Sequence, residues 1–125
     1  MNTPARILVV DDTPVNLKLV SDVLQFKGYQ TIEAGTGEDG VRLAKERHPA
    51  LVLMDIQLPG IDGITALGQL RADAATRGIP VIAVTASAMT HDRQKIMAAG
   101  FDGYQTKPIR LKEFLDAVRV MLDRK

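Results

Sequence analysis

Three aspartates in this sequence stand at the end of a short apolar run. Asp11 and Asp12 come after the apolar residues 7–10, and Asp55 comes after the apolar residues 51–54. Carboxylates that lie close together repel one another, so such a cluster needs a cation or raised pKa values. Oxygen ligands with no His or Cys beside them select a hard ion. Mg²⁺ suits best, because it keeps several waters and binds one or two carboxylates plus a phosphate oxygen.

A hydroxyl and an ammonium group follow two further segments. Thr85 comes after the apolar residues 81–84, and Lys107 comes after residues 101–106. A carboxylate beside a metal ion can act as a nucleophile toward a phosphoryl group. The transferred group spreads negative charge over three oxygens, which the metal, a point cation and a hydroxyl donor stabilise. Lys107 and Thr85 supply the last two, so the set predicts a site that forms an aspartyl phosphate.

Aspartates at strand ends also cap helices, which is the plainer interpretation of Asp11 and Asp12. That interpretation is weaker for Asp55, because Thr13 and Asp62 already stand as candidate caps. Asp55 also follows a run whose continuous apolar character predicts a strand buried on both faces.

The apolar runs predict the strands that position these groups, and the stretches between them predict helices. Runs of four apolar residues without polar alternation are typical of buried parallel strands. Residues 29–34 and 101–106 are two weaker strand candidates. The last helix has the clearest helical spacing, with its apolar stripe formed by Leu111, Phe114, Leu115, Val118, Met121 and Leu122.

Capping residues mark the ends of the predicted helices. A Thr before a Pro indicates a helix start, a Gly indicates a helix end, and the residue before a Pro resists helical geometry. The predicted starts are Thr13 with Pro14, Thr36, Asp62 and Thr90, and the predicted ends are Gly28, His48–Pro49 and Gly100.

Five strand-then-helix units in order predict a parallel sheet with helices on both faces. Right-handed crossovers favour a doubly wound, three-layer α/β sandwich. Such sheets bind ligands outside the carboxyl ends of their strands, which is where the aspartates, Thr85 and Lys107 stand. No linker or repeat interrupts the pattern, so residues 1–125 are expected to form a single domain.

Composition excludes several classes of protein. With 46% hydrophobic and 25% charged residues, the chain is not disordered, and without Cys it has no disulfide, thiolate metal site or Cys nucleophile. A net charge of +1 argues against a nucleic-acid partner. No apolar run approaches the ~20 residues that span a bilayer, and no signal peptide is recognisable, so we expect a cytoplasmic protein that does not enter a membrane.

Four motifs in this order resemble the receiver domain of a two-component response regulator. They are Val-Val-Asp-Asp (residues 9–12), Leu-Met-Asp-Ile-Gln-Leu-Pro-Gly-Ile-Asp-Gly (53–63), Val-Thr-Ala (84–86) and Lys-Pro (107–108). The resemblance extends from Ile7 to Leu122. The chain is similar in size to the single-domain chemotaxis regulator, and its flanking sequence resembles free-standing regulators of bacterial cell-cycle and developmental pathways. The resemblance implies a flavodoxin-like strand order, 2-1-3-4-5.

The resemblance also implies a role for each acidic residue and a Mg²⁺ cofactor. Asp55 would be the phosphoacceptor. Asp12 would bind Mg²⁺ directly and Asp11 mainly through water, and Asp55 and the backbone carbonyl of Gln57 would complete the protein ligands. Gln57 and Ser87 occupy positions that vary within the family and influence hydrolysis of the phosphoryl group, and neither is acidic.

Two further residues would respond to the phosphoryl group. Lys107 would contact its oxygens, and the peptide bond from Lys107 to Pro108 is expected to be cis. Thr85 would move toward the phosphoryl group, followed by Tyr104. The expected partners are a histidine kinase or histidine phosphotransfer protein, and a downstream protein bound by the fourth helix, fifth strand and fifth helix. We expect a monomer and leave dimerisation on activation open.

Several plainer alternatives remain at this stage. From composition alone, Tyr104 is a half-buried core residue and the five Met residues fill the core. An enzyme with an aspartyl-phosphate intermediate, such as a small phosphatase or phosphomutase, would need a substrate pocket and usually a second acid, but the residue two after Asp55 is Gln57. A constitutive interaction domain that never turns over phosphate is the third alternative.

Overall fold

The structure, a computed structural model, describes residues 4–86 and 90–123, with side chains after the gap described from Arg93 onward. Within these ranges five strands alternate with five helices. They are β1 (Arg6–Val10), α1 (Pro14–Phe26), β2 (Gln30–Ala34), α2 (Gly37–Arg47), β3 (Leu51–Asp55), α3 (Gly63–Ala72), β4 (Val81–Thr85), α4 (Thr90–Ala98), β5 (Gly103–Thr106) and α5 (Leu111–Leu122). None of the described helices is both long and apolar enough to cross a lipid bilayer.

The strands form one parallel sheet in the order β2-β1-β3-β4-β5. Every residue of β3 and of β4 is buried, as expected for central strands covered on both faces. The doubly wound α/β architecture predicted from the sequence pattern and the strand order implied by the resemblance are therefore confirmed.

Two hydrophobic clusters cover the two faces of the sheet. Successive side chains of a strand point to opposite faces, so Leu8 and Val10 join the cluster beneath α2, α3 and α4, whereas Ile7 and Val9 join the cluster beneath α1 and α5. We refer to them as the α3-side cluster and the α5-side cluster. Phe114 of α5 is fully buried in the second. The result is the predicted three-layer sandwich.

Most predicted helix ends are confirmed. The Thr36 hydroxyl accepts a hydrogen bond from the Asp39 N–H at 3.0 Å, and the Asp62 carboxylate accepts one from the Thr65 N–H at 2.8 Å. Gly28 follows α1 with a φ angle of +93°, and Gly100 follows α4 with a φ angle of +110°. Residues with a side chain rarely adopt such angles, so a glycine is suited to end each helix.

Two predicted caps differ from the structure. Thr13 precedes α1 with Pro14 at its first turn, but the Thr13 hydroxyl makes no capping hydrogen bond. The backbone N–H of Thr13 instead donates to the Asp11 carboxylate at 2.9 Å, and this hydrogen bond fixes the turn between β1 and α1. Thr90 is the first residue of α4 and not the residue before it, and the cap of α4 falls outside the part of the chain that is described.

Two predicted core positions are wrong. Leu111 is 54% exposed, because it is the first residue of α5 and lies beyond the end of the core that buries Phe114, Val118 and Met121. Met97 of α4 is 40% exposed and does not fill the core as predicted for the Met residues. The helical spacing identified the buried face of α5 but not where along its axis the core begins.

A single guanidinium holds the connections at the amino ends of β4 and β5. Arg71 of α3 donates to the carbonyl oxygens of Ile79 at 2.7 Å and Gly100 at 3.3 Å, and it pairs with the Asp102 carboxylate at 2.8 Å. The same carboxylate oxygen accepts the Val81 N–H at 2.8 Å. This edge of the sheet is thus cross-linked by hydrogen bonds, and it is the edge opposite the one that carries Asp11, Asp12 and Asp55.

Candidate functional site

The carboxyl ends of four strands bring the predicted site residues to one edge of the sheet. Asp55 and Thr85 are the last residues of β3 and β4, and Asp11 follows β1 directly. Thr85 pairs in register with Thr106 of β5, and the N–H of the next residue, Lys107, donates to the Thr85 carbonyl oxygen at 2.7 Å. The parallel register therefore places Lys107 beside the aspartates, as the sequence predicted.

The three aspartates form a cluster that suits a hard cation. Each of Asp11, Asp12 and Asp55 offers one carboxylate oxygen, and these oxygens all lie within 4.8 Å of one another. Asp11 and Asp55 are buried, whereas Asp12 is exposed at the mouth of the site. An all-oxygen donor set with one open side fits Mg²⁺, which binds few carboxylates and keeps part of its water shell.

Lys107 neutralises part of this charge. Its Nζ lies 2.9 Å from Oδ2 of Asp55 and 3.1 Å from Oδ2 of Asp11. Burial lowers the pKa of Lys107, but its hydrogen bonds to Asp55 and Asp11 outweigh that effect, so the pKa is raised overall and the ammonium form is favoured. One ammonium against three carboxylates leaves an excess of negative charge in the site.

Asp55 is 4% exposed, and burial raises its pKa above the usual range. The hydrogen bond from Lys107 and the one from the Gln57 N–H, which lies 3.0 Å from Oδ1, lower the pKa and offset part of that rise. The Coulomb repulsion from Asp11 raises it further. A carboxylate of this kind is held in place at both oxygens by groups that stabilise its charged form.

Asp11 and Asp12 are neighbours in the chain with different environments. Asp11 uses Oδ1 to accept the Thr13 N–H and Oδ2 to contact Lys107. Asp12 makes no hydrogen bond or ion pair with any side chain that the structure describes. Asp12 is therefore the carboxylate of this cluster that has no described side-chain partner to compete with an incoming cation.

Gly63 closes the loop that follows Asp55, a role that the sequence analysis did not assign to it. The Gly63 N–H donates to the Ile56 carbonyl oxygen at 2.9 Å, so the loop from β3 returns onto its own strand end. A Cβ atom on Gly63 would lie 2.3 Å from the Asp55 carbonyl oxygen and 2.9 Å from the Ile56 Cα. Only a residue without a side chain permits this approach. The signal in the sequence was the glycine at the end of the Asp55 motif.

Thr85 and Tyr104 lie between the site and α4. Thr85 is buried at the end of β4, and Tyr104 is half-buried on β5, opposite Ala83 in register, where it packs against the α3-side cluster. The guanidinium of Arg93 on α4 lies over the Tyr104 ring, with Cζ 5.5 Å from the ring centroid. No pattern in the sequence singled out Arg93. Ser87 lies outside the described residues.

An apolar pocket opens beside the acidic cluster. It has a volume of about 420 Å³ and lies between α1 and the connection from β5 to α5, with Asp11 and Lys107 in its wall. The Lys107–Pro108 peptide bond in this connection is cis, as the resemblance implied. The remaining lining is largely apolar and includes Leu19, Val20, Ile109 and Phe114.

Comparison with known proteins gives consistent results. A family model described as a response regulator receiver domain matches residues 7–119. The polar-differentiation response regulator DivK of Brucella ovis is 40% identical over 116 residues, which cover 93% of this chain and 94% of that protein.

Solved structures agree with these sequence matches. A CheY-like response regulator receiver domain protein from Methanospirillum hungatei is 30% identical with a TM-score of 0.88, covering 97% of this chain and 95% of that chain. The receiver domain of the sensor histidine kinase PA1611 from Pseudomonas aeruginosa is 32% identical with a TM-score of 0.89, covering 96% and 98%. That structure has a magnesium ion coordinated in its active site cleft.

Proposed function

The chain belongs to the response regulator receiver domain family, and from that membership we propose that it accepts a phosphoryl group on Asp55 from a phosphohistidine. Receiver domains take a phosphoryl group on an aspartate in two-component signalling and interact with histidine kinases and downstream targets. The donor would be a histidine kinase or a histidine phosphotransfer protein, and the exchange would take place in the cytoplasm.

One observation carries this proposal above all others. Asp55 is a buried carboxylate whose Oδ2 lies 2.9 Å from the Lys107 ammonium, within a cluster that also holds Asp11 and Asp12. A carboxylate at the end of a strand and opposite a point cation can attack a phosphoryl group while the ammonium stabilises the negative charge on the transferred oxygens. Burial excludes bulk water from the nucleophile and strengthens both interactions.

The alternatives are less well supported. A phosphatase or phosphomutase would usually need a second carboxylic acid that protonates the leaving group. The residue two positions after Asp55 is Gln57, which is not an acid and whose backbone N–H donates a hydrogen bond to Asp55. A constitutive interaction domain would not need Lys107 aimed at a buried aspartate, because a buried ion pair is a weak source of stability. Family membership also favours a signalling domain.

Wild-type protein incubated with acetyl phosphate and Mg²⁺ should gain the mass of one phosphoryl group. The expected basis is attack by Asp55 on the phosphorus, with acetate as the leaving group and the metal supplying charge stabilisation. Intact mass spectrometry measures the gain, and chelation of divalent cations should prevent it. Protein that shows no gain under any of these conditions would support the constitutive interaction domain instead.

We also propose that Mg²⁺ is the cation of this site. Asp12, Asp55 and the backbone carbonyl of Gln57 would bind it directly, and Asp11 would act mainly through water. The structure supports direct binding by Asp12, because Asp12 is exposed at the mouth of the site and has no partner among the described side chains. Asp11 and Asp55 each contact Lys107 and a backbone N–H, so the division between these two follows the family resemblance. When bound, the metal would neutralise charge on the phosphoryl oxygens.

Asp12→Asn should weaken Mg²⁺ binding more than Asp11→Asn does. Loss of a residue that acts on a metal from outside its direct ligands lowers metal affinity about 10- to 100-fold. We expect the loss of affinity in Asp11→Asn to lie at the lower end of that range and the loss in Asp12→Asn to be larger. At about ten times its Kd, Mg²⁺ should raise the free energy of unfolding by about 1.4 kcal/mol. Isothermal titration and thermal unfolding measure both effects. Equal affinities in the two variants would contradict the division of roles.

The output would be a change of the protein-binding surface around α4, β5 and α5. Thr85 stands at the end of β4 beside the site, and Tyr104 on β5 connects the same region to α4 through Arg93. A hydrogen bond from the Thr85 hydroxyl to the phosphoryl group would draw Thr85 inward, and Tyr104 could then occupy the vacated volume. Such a two-state element responds to phosphorylation through differential contacts. The net charge of +1 favours a protein target over nucleic acid.

Amide chemical shifts should change beyond the site when the phosphoryl analogue beryllium trifluoride is added with Mg²⁺. We expect changes at Thr85, Tyr104, α4 and α5, and we expect Thr85→Ala to confine them to the loops around the aspartates. Two-dimensional NMR of ¹⁵N-labelled protein measures this. If the wild-type changes also stay at those loops, the route through Thr85 and Tyr104 is wrong.

A further inference from the structure

Tyr104 contacts two different environments. Its ring packs against the α3-side cluster, and the guanidinium of Arg93 lies over the ring, 5.5 Å from its centroid. Arg93 is exposed on α4. No carboxylate among the described residues pairs with its guanidinium, and the contact with the Tyr104 ring is the one that the structure shows for this side chain within that part of the chain.

We propose that Arg93 is a positioning residue for Tyr104. Its guanidinium holds the Tyr104 ring in the arrangement seen when Lys107 contacts Asp55, and it thereby opposes the movement of Tyr104 that phosphorylation would cause. A cation within about 6 Å of a ring centroid is attracted by the quadrupole of the ring, and a guanidinium is well suited because it is planar and weakly hydrated. The contact therefore joins α4 to β5 through two side chains that lie on the proposed output surface.

The expected size of the effect of Arg93 on Tyr104 follows from the exposure of the Arg93 side chain. Cation–π pairs at exposed sites shift an equilibrium by about two- to fivefold. If Tyr104 must leave the guanidinium during the switch, removal of Arg93 destabilises the starting arrangement by that factor. Linkage then requires the protein to bind a phosphoryl analogue more tightly by the same factor. This second step rests on the proposed function, whereas the contact between Arg93 and Tyr104 does not.

The composition of the chain permits a direct measurement of the contact. The sequence has no Trp and two Tyr, so Tyr29→Phe leaves Tyr104 as the only residue that emits at longer wavelengths than phenylalanine. In this background, and before any phosphodonor is added, Arg93→Gln should increase acrylamide quenching of Tyr104 because the ring loses its cover. Arg93→Lys should restore part of the protection. Lys95→Gln, which removes another exposed cation of α4, is the matched control and should behave as the parent does.

A titration with beryllium trifluoride and Mg²⁺, followed by Tyr104 emission, tests the regulatory step. Arg93→Gln should lower the midpoint about two- to fivefold, and Lys95→Gln should leave it unchanged. Quenching that is equal in the parent and in Arg93→Gln overturns the contact and the proposal with it. Increased quenching with an unchanged or raised midpoint overturns the role in switching.

The two experiments separate this proposal from the proposed function. If no variant responds to beryllium trifluoride and the parent gains no mass from acetyl phosphate, the proposed function fails, while the quenching series still decides whether Arg93 positions Tyr104. If the parent responds to beryllium trifluoride and gains mass, but Arg93→Gln has the same quenching and the same titration midpoint as the parent, only the role of Arg93 fails.

Discussion

Asp55→Asn should abolish the mass gain that acetyl phosphate produces in wild-type protein. An amide is not a nucleophile toward phosphorus. Asp12 is exposed, and Asp11, although it is buried and lies 3.1 Å from Lys107, has the proposed role of holding the metal through water. The variant should still fold, because the amide oxygen can accept the Gln57 N–H and Lys107 keeps Asp11 as its partner. Intact mass and thermal unfolding measure the two expectations.

Asp116→Asn is the matched control for this loss. Asp116 lies on α5 and forms an exposed pair with Arg119 at 3.5 Å, so the same change of side chain there removes a carboxylate far from the acidic cluster. We expect wild-type phosphorylation and stability within about 0.5 kcal/mol, as for most surface substitutions. Full phosphorylation of Asp55→Asn, with the phosphoryl group located on Asp11 or Asp12, would show that the acceptor has been assigned to the wrong aspartate.

Gly63→Ala should have the largest effect on stability. The new Cβ would lie 2.3 Å from the Asp55 carbonyl oxygen, which is backbone and cannot rotate away as a side chain could. Overpacking of this kind costs about 3 kcal/mol or more, and the melting temperature of a domain of this size should fall by roughly 10 °C. Because the displaced atoms belong to Asp55 and Ile56, the variant should also lose phosphorylation in proportion to how far the loop moves.

Gly68→Ala is its matched control on the same helix. Nothing lies within 4 Å of the position that its Cβ would take, and Gly68 is exposed. Replacing a helical glycine by alanine at an open position should stabilise the protein by about 0.5 to 1 kcal/mol. Chemical denaturation of the two variants measures the difference. A small loss in Gly63→Ala, similar to an ordinary surface change, would mean that the loop after Asp55 adjusts easily.

The sequence was sufficient to predict the edge on which the site lies. A run of four apolar residues specifies a buried parallel strand, and all strands of such a sheet end on the same side, so Asp55, Thr85 and Lys107 had to meet. Spacing alone could not show which of the two adjacent aspartates pairs with Lys107. Neighbouring residues in a turn point in different directions, and only the structure shows Asp11 turned inward and Asp12 exposed.

Features that depend on how elements are rotated or where they end were not predictable. The apolar pattern of α4 is weak, with Ile96 the buried residue among its described side chains, so nothing in the sequence specifies that Arg93 faces β5. The steric demand at Gly63 arises from the return path of a loop, so the glycine is visible in the sequence but the backbone contact that requires it is not. Leu111 fits the stripe of α5 but lies beyond the core, because periodicity gives an angle around the helix and no position along it.

The surroundings of the acidic cluster differ in polarity. Toward α1, the pocket with Asp11 and Lys107 in its wall is otherwise lined mainly by apolar residues such as Leu19, Val20 and Phe114, so a water molecule in its apolar part would have few hydrogen-bond partners. The exposed residues Asp12 and Gln57, by contrast, offer polar groups that can orient a water molecule. We therefore expect hydrolysis of the proposed acyl phosphate on Asp55 to depend more on water near Asp12 and Gln57 than on what occupies the apolar pocket.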